Sequence, residues 1–159
     1  MSVEEGSEVS LRRLEDALKR WYPDQYPVTP APPLAIASLR RTCLKTLGVS
    51  LPHGYLQLLA SIDGFIFNGL TVFAAKPRVL AGGRPVNLGG FVEENEGIRL
   101  DQPHFSELLV FGYNDLDHFV YHVSNGNFLV LSRVGEDVFD TFTTFDELIV
   151  HAFKRADMK

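Results

Sequence analysis

Residues 65–73, Phe-Ile-Phe-Asn-Gly-Leu-Thr-Val-Phe, decide the fold because they mark the point where the chain changes from helix to sheet. Two short runs of β-prone residues flank Asn68-Gly69. Both central residues tolerate the positive φ of a type I′ turn, and this pair between β-prone runs is the strongest short-range signal for a hairpin. The stretch therefore predicts a two-stranded antiparallel hairpin.

A helix is predicted shortly before this hairpin, with its start near Pro33 and its end at Gly48. Proline suits the first turn of a helix, and glycine is the commonest residue just beyond the last turn. Cys43 falls on the apolar stripe of this helix, together with Leu39 and Leu47. We therefore expect a buried structural thiol and not a nucleophile.

Two more helices are predicted on the N-terminal side of the hairpin. One lies within residues 51–64, with Pro52 in its first turn and Gly64 as its stop. The other follows residues 1–9, which we expect to be frayed, and has apolar residues at spacings of three and four. Its stripe consists of Leu11, Leu14, Leu18 and Trp21.

On the C-terminal side, residues 76–106 contain two Gly-Gly pairs, three prolines and no clear periodicity. We expect most of them to form a long loop, with room for a short helical turn around Phe91 to Glu96. Four β-prone runs separated by turn residues follow, and they predict an antiparallel meander. The predicted strands are 108–111, 118–123, 128–133 and 138–141.

A last helix is predicted after the meander, where Thr144 and Glu147 have the three-residue spacing of a capping box. The order of the elements indicates an α+β fold, in which N-terminal helices pack on a largely antiparallel sheet made of a hairpin plus a meander, with a closing C-terminal helix. The length of 159 residues is that of one domain, so we expect residues 1–159 to form a single domain.

The composition is that of an ordinary globular protein, with 45% hydrophobic and 22% charged residues. No apolar run reaches the ~18–20 residues of a membrane helix, and the acidic N-terminus does not look like a signal peptide. One cysteine can form neither an internal disulfide nor a cysteine-based zinc site. We therefore expect a cytoplasmic protein, a monomer or weak homodimer, that does not associate with membranes.

The net charge of −5 is unevenly distributed along the chain. Residues 91–147 contain twelve carboxylates and only two basic residues, Arg99 and Arg133. A region of such negative charge attracts a basic partner and repels polyanions, which argues against nucleic-acid binding. The alternative is that these carboxylates are solvated surface groups that maintain solubility.

The sequence gives only weak signals for a metal site or a catalytic site. His118 and His122 have the spacing of two zinc ligands on a helix, but the intervening Phe-Val-Tyr indicates a strand. Four residues of strand span roughly 13 Å, which is too far for two ligands of one zinc ion. The carboxylates near Asn114 lack the spacing of a calcium loop, and no phosphate loop or nucleophile motif is present. We expect no metal, no cofactor and no catalytic residue.

Three stretches, taken in their order, resemble the SUKH superfamily of Smi/Knr-type proteins. Residues 51–59 with Asp63-Gly64 are similar to the family's Leu-Pro-x-x-Tyr helix and the pair that follows it, although Asp63 stands where the family usually has Asn. Residues 109–121 are similar to its strand, glycine, acidic turn and strand, and residues 141–149 to its terminal helix. The resemblance implies a scaffold role for Leu51, Pro52, Tyr55, Gly64 and Gly112.

The resemblance also implies a non-enzymatic protein that neutralises a cognate bacterial toxin by occluding its active site. Many such toxins are nucleases, whose basic surfaces bind polyanions, so an acidic face on the inhibitor favours association. We therefore expect a protein partner, a basic toxin domain, to bind carboxylates of the acidic region. The candidates are Glu93, Glu94, Glu96, Asp115, Asp117, Glu136, Asp137 and Asp140.

Two other classes of function remain open from the sequence. A regulatory adaptor of the same fold would bind a cellular partner in place of a toxin. A small hydrolase would need a pocket between the helices and the sheet, with perturbed carboxylates or histidines in it. The sequence contains no recognisable pair of nucleophile and base for that role.

Overall fold

The structure, a computed structural model, describes Arg12, Arg13, Asp16 and Arg20 and residues 29–80, 86–134 and 137–157. The four single residues near the N-terminus are helical. The expected fraying of residues 1–9, the apolar stripe of the first predicted helix and the candidate Glu136 lie outside the described residues.

From residue 33 onward, the described residues form four helices and eight strands. The helices are α1 (Pro33–Leu47), α2 (His53–Ser61), α3 (Phe91–Asp101) and α4 (Phe145–Asp157), and a 3-10 helix covers Pro103–Glu107. The strands are β1 (Phe65–Phe67), β2 (Leu70–Val72), β3 (Arg78–Leu80), β4 (Val86–Leu88), β5 (Leu108–Tyr113), β6 (Asp117–His122), β7 (Phe128–Ser132) and β8 (Val138–Phe142).

Six of the strands form one antiparallel sheet in the order β1-β2-β5-β6-β7-β8, and β3 pairs with β4 in a separate small sheet. The predicted α+β fold with a largely antiparallel sheet is thus confirmed. The meander strands agree with the sequence prediction to within two residues. In the described residues, no helix is both long enough and apolar enough to cross a membrane.

The hairpin and helix α1 form as the sequence predicts. Asn68 and Gly69 have φ angles of 45° and 84°, both positive as a type I′ turn requires. Helix α1 begins at Pro33, and the left-handed Gly48 beyond it donates its N–H to the carbonyl oxygens of Cys43 and Leu44. The prediction is confirmed at both elements because each depends on a local backbone conformation that glycine, asparagine or proline favours.

The expected buried thiol is also confirmed. Cys43 is completely buried and donates its S–H to the carbonyl oxygen of Val49 at 3.3 Å. Burial raises the pKa of this thiol to about 11, although the charge of Arg99 opposes the shift. The thiol is therefore protonated at neutral pH and does not act as a nucleophile.

The expectation that residues 76–106 form a loop is wrong for most of that region. Strands β3 and β4, helix α3 and the 3-10 helix lie there. The strands have only three residues each, too few to show alternation, and one of them, β4, buries Leu88 alone. Helix α3 places the polar Asn95 on its buried side. This polar residue interrupts the apolar periodicity from which a helix is recognised.

Helix α3 completes the hydrogen bonding of β5 beyond the end of β2. Strand β2 pairs with β5 only at Gly112 and Tyr113. Further along the same strand, the Asn95 amide accepts a hydrogen bond from the Val110 N–H at 2.7 Å and donates one to the Val110 carbonyl at 2.9 Å. Arg99 donates to the Leu108 carbonyl at 3.0 Å. Side chains of a helix thus satisfy strand groups that no neighbouring strand reaches.

Tyr55 lies at the centre of the core, with no exposed surface. Its ring contacts Phe91, Phe111 and Phe145 at centroid distances of 5.0–5.7 Å. Its hydroxyl donates to the Phe73 carbonyl at 2.7 Å, and burial raises the pKa of this phenol well above its usual value. Tyr55 therefore joins α2 to the sheet, to α3 and to α4.

The other residues of the resemblance motif also lie at crowded positions. Leu51 is buried, and Pro52 occupies the position just before the first turn of α2. Gly64 has a φ of 71°, and a Cβ there would lie 2.7 Å from the backbone nitrogen of Ala74. A Cβ on Gly112 would overlap the carbonyl oxygen of Thr71, where β2 crosses close to β5. Only glycine allows these two backbone approaches.

The closing helix begins with the predicted cap. Thr144 Oγ1 accepts a hydrogen bond from the Glu147 N–H at 3.2 Å, and its hydroxyl is 3.0 Å from the Glu147 carboxylate. The apolar face of α4 is buried at Phe145, Leu148 and Phe153. Phe145 packs edge-on against Phe111 of β5, so α4 covers one face of the sheet.

Candidate interaction surface

The turn between β5 and β6 is built around Asn114. Its side-chain oxygen accepts hydrogen bonds from the N–H groups of Leu116 at 3.0 Å and Asp117 at 2.7 Å. Its own N–H donates to the Asp117 carbonyl at 3.0 Å. An asparagine that bonds the backbone two residues on fixes a turn in this way. The turn exposes Asp115 and Leu116, and Leu116 retains 64% of its accessible surface.

The segment after β7 lies beside this turn, and Arg133 holds the two together. The Arg133 N–H donates to the Leu116 carbonyl at 2.9 Å, and its guanidinium donates to the Asn114 carbonyl at 3.0 Å. The same guanidinium lies over the Tyr113 ring, 5.0 Å from its centroid. Val134, the next residue, is 83% exposed.

Strand β8 continues this surface along the edge of the sheet. Its first four residues are exposed, and Val138 and Phe139 retain 53% and 60% of their accessible surface. Asp137 is exposed just before the strand, and its carbonyl accepts from the Ser132 N–H at 2.8 Å. We call these exposed groups the sheet-end surface. It comprises Asp115, Leu116, Arg133, Val134, Asp137, Val138, Phe139 and Asp140.

Four apolar and three acidic side chains share the sheet-end surface with a single cation, Arg133. Its turns are adjacent through the hydrogen bonds of Arg133, and β8 adjoins them through its pairing with β7. The structure thus brings the predicted Asp115, Asp137 and Asp140 to one end and edge of the sheet. Isolated exposed apolar residues are common, but a group of them with a polar rim is typical of protein interfaces.

The interpretation of Asp117 as a surface carboxylate is wrong. Asp117 is 1% exposed, and its carboxylate oxygen Oδ2 lies 3.1 Å from the guanidinium of Arg155 on α4. Successive strand residues point to opposite faces, and the first position of β6 points toward α4. Alternation within the strand, which includes the apolar Phe119 on the same face, was the signal for its burial.

The three predicted carboxylates of α3 form a separate group. Glu93, Glu94 and Glu96 are exposed in the first turns of the helix. The Glu93 and Glu94 carboxylates fold back over Gly90 and Gly89, and a Cβ on either glycine would overlap them. At Gly90 a Cβ would also come within 2.7 Å of the backbone nitrogen of Pro77, so the backbone is closely packed at this glycine.

A groove of about 370 Å3 lies between α3 and the sheet, and the sequence did not predict it. It is lined on the helix side by Glu94 and Asp101 and on the sheet side by His118 and Arg133. Arg133 therefore faces the groove as well as the sheet-end surface. The residues come from three distant parts of the chain, so no local motif announces the groove.

The histidines of β6 do not form part of a metal cluster. His118 packs edge-on against Phe105, and His122 lies 4.0 Å from the Glu107 carboxylate. Among residues 29–80, 86–134 and 137–157, together with the four described near the N-terminus, no three His, Cys, Asp or Glu side chains are arranged to hold a metal ion. No family model matches the chain, and none of the curated proteins compared with it does.

Proposed function

We propose that this protein is a non-enzymatic binding protein that neutralises a basic bacterial toxin by covering its active site. The observation that carries the proposal is the sheet-end surface, where two adjacent turns and strand β8 carry exposed apolar side chains and carboxylates. The likeness of three sequence stretches to the SUKH superfamily, many of whose members are immunity proteins, supports the same role. The protein would act in the cytoplasm, where such a toxin reaches its substrate.

The chemistry of the surface fits a basic protein partner. Leu116, Val134 and Phe139 offer apolar area that a partner would remove from water, with a gain of roughly 25 cal/mol per Å2. The carboxylates around them are exposed, so their main effect is on the rate of encounter with a cationic surface. A nuclease active site is such a surface because it binds a polyanion.

The test uses the product of an adjacent gene that encodes a secreted toxin. We expect it to bind this chain and to lose its toxicity when the two are co-expressed. The triple variant Asp115→Asn, Asp137→Asn, Asp140→Asn should associate about tenfold more slowly at low salt and show a weaker salt dependence, because steering by exposed charge is lost. Stopped-flow association measured over a range of salt concentrations gives both quantities.

The matched control neutralises the α3 group with Glu93→Gln, Glu94→Gln and Glu96→Gln. A smaller loss of association rate in this control supports the sheet-end surface as the contact. Equal losses in the two triple variants contradict that location. Unchanged rates and salt dependence in both variants contradict the proposal of a basic partner.

The groove between α3 and β6 favours one rival function, a small hydrolase. A histidine and two carboxylates line the groove, and these are residue types that acid and base chemistry uses. The variant His118→Ala separates the two functions, since it should abolish any turnover of substrate but leave toxin binding unchanged. Turnover that disappears in this variant would contradict a purely binding role.

A further inference from the structure

Strand β8 is an open edge of the six-stranded sheet. Among the described residues it pairs with β7 and with no other strand. An edge strand presents a row of backbone N–H and C=O groups that another extended chain can pair with. With five residues, β8 has the usual length of a strand in a globular protein.

The side chains of β8 leave this edge open to a segment of opposite charge. Proteins commonly block an exposed edge with lysine, with proline or with a very short strand. Residues 137–142, Asp-Val-Phe-Asp-Thr-Phe, contain neither lysine nor proline. The edge has two protective features: a bulge, where the register between β7 and β8 shifts at Val130/Leu131, and the negative charges of Asp137 and Asp140. Val138 and Phe139 remain exposed at this point.

The charge of the edge determines what can bind to it. Asp137 and Asp140 are exposed, and no cation occurs between residues 137 and 142. A second copy of the chain would bring two such strands together and place their carboxylates along one pair of strands, which is destabilising. An extended segment with lysine or arginine alternating with apolar residues would instead pair its cations with these carboxylates and its apolar side chains with Val138 and Phe139.

We propose that β8 accepts a basic extended segment of the partner protein as a seventh strand of the sheet. The inference rests on the proposed function, because it takes the partner to be basic. Main-chain hydrogen bonds to β8 supply the pairing, and Asp137 and Asp140 select the charge of the segment. Strand addition also places the body of the partner against the neighbouring Leu116 and Val134 of the sheet-end surface.

The first experiment uses synthetic peptides with the full-length protein. The probe is a peptide of about eight residues that alternates lysine and valine, long enough to pair with all of β8. A second peptide has the same sequence with alternate backbone amides N-methylated, and a third has glutamate in place of lysine. We expect the first peptide to slow amide hydrogen exchange in residues 138–142. The second and third peptides should bind with an affinity at least about tenfold lower.

A matched pair of variants locates the binding edge. Asp140→Lys should weaken binding of the lysine peptide about tenfold, since it replaces attraction by repulsion at the strand. Glu96→Lys makes the same change of charge on α3 and should have little effect. Equal losses in the two variants would overturn the assignment of the edge to β8.

The outcomes separate this inference from the proposed function. If the N-methylated peptide binds as well as the unmodified one and exchange in β8 is unchanged, strand addition is wrong, while salt-dependent binding of both peptides still supports an acidic surface for a basic partner. If neither lysine peptide binds better than the glutamate peptide, both proposals fail. Protection of β8 amides that grows with protein concentration in the absence of peptide would show a second copy at the edge and overturn the inference.

Discussion

The two edges of the six-stranded sheet are opposites. Strand β1 has three residues, and both of its phenylalanines, Phe65 and Phe67, are 1% exposed. Strand β8 has five residues, of which only Phe142 is even partly buried, and Phe139 is 60% exposed. Both strands are rich in phenylalanine, so residue type alone does not distinguish an edge that belongs to the core from an edge that faces solvent.

The difference is sharpest when one phenylalanine is truncated on each edge. We expect Phe67→Ala to lower the free energy of unfolding by about 3–5 kcal/mol, because it leaves a cavity in the core. Phe67 contacts Phe153 of α4, so the loss reaches the closing helix as well. Phe139→Ala should change the free energy by no more than about 0.5 kcal/mol, as exposed substitutions usually do. Urea unfolding followed by circular dichroism measures both.

Comparable losses in the two variants would break the comparison, because they would show that β8 is part of the stable core. A loss of stability in Phe139→Ala with none in Phe67→Ala would reverse the assignment of the core edge and the solvent-facing edge.

The part of the sheet next to β1, where β2 pairs with β5, can also be destabilised through its backbone. Gly112→Ala puts a Cβ against the Thr71 carbonyl, and neither strand can move without disturbing the sheet. We expect a loss of about 3 kcal/mol, in the upper part of the range for overpacked sites. Differential scanning calorimetry gives the change in melting temperature and enthalpy.

Gly97→Ala on α3 is the matched control, since a Cβ there meets no atom within 4 Å. It should stabilise the protein by about 0.5–1 kcal/mol, because alanine favours the helix more than glycine does. A destabilised Gly97→Ala together with a neutral Gly112→Ala would contradict the account of both sites.

Asn95 takes the place of a neighbouring strand beside β5, where it bonds both backbone groups of Val110. Asn95→Ala leaves the Val110 N–H and C=O without their partner in the interior. We expect the free energy of unfolding to fall by about 2 kcal/mol, the usual cost of buried polar groups that lack a hydrogen-bond partner. Hydrogen exchange at the Val110 amide should become faster. The exposed Asn87 of β4 is the control, and Asn87→Ala should change stability by no more than about 0.5 kcal/mol. Unchanged exchange at Val110 would contradict the role of Asn95.

The smallest expected effect is a pH dependence of stability that arises from His151, which lies beside β8. His151 of α4 lies against Phe142, with centroids 5.3 Å apart, and burial lowers the pKa of this histidine below 6.5. Asp140 and Asp117 oppose the shift, whereas Arg155 adds to it. The unfolded chain therefore binds a proton more readily than the folded one, and stability falls as the pH drops through the unfolded pKa.

The measurement is urea unfolding at about pH 7 and about pH 5, on either side of the ordinary histidine pKa. The wild-type protein should lose more stability on acidification than His151→Gln does. An equal loss in both proteins would show that His151 does not contribute.

Local signals in the sequence predict much of the fold. The Asn68-Gly69 turn, the Pro33 start and Gly48 end of α1, and the Thr144 cap each depend on a few neighbouring residues. Local signals do not predict the structure of residues 76–106, because it depends on contacts with distant parts of the chain. Helix α3 is held by hydrogen bonds from Asn95 to β5, and a polar residue on the buried side conceals the apolar pattern.

The candidate surface was predicted only in part. The negative charge of residues 91–147 predicts Asp115, Asp137 and Asp140, which the structure places at one end and edge of the sheet. It could not distinguish them from Asp117, whose burial depends on the face of β6 that α4 covers. The exposed Phe139 of β8 was missed because an apolar residue in a strand is ordinarily assigned to the core.

The burial of Cys43 makes the protein convenient for site-specific labelling. Cys43 is the only cysteine of the chain, and as a buried, protonated thiol it reacts with maleimides or iodoacetamide only when the fold opens. A cysteine introduced at the exposed Thr141 would therefore take up a fluorophore selectively without replacement of the native thiol. A dye at that position would report whether a partner is seated on β8, and slow modification of Cys43 would time the opening of the fold in the same sample.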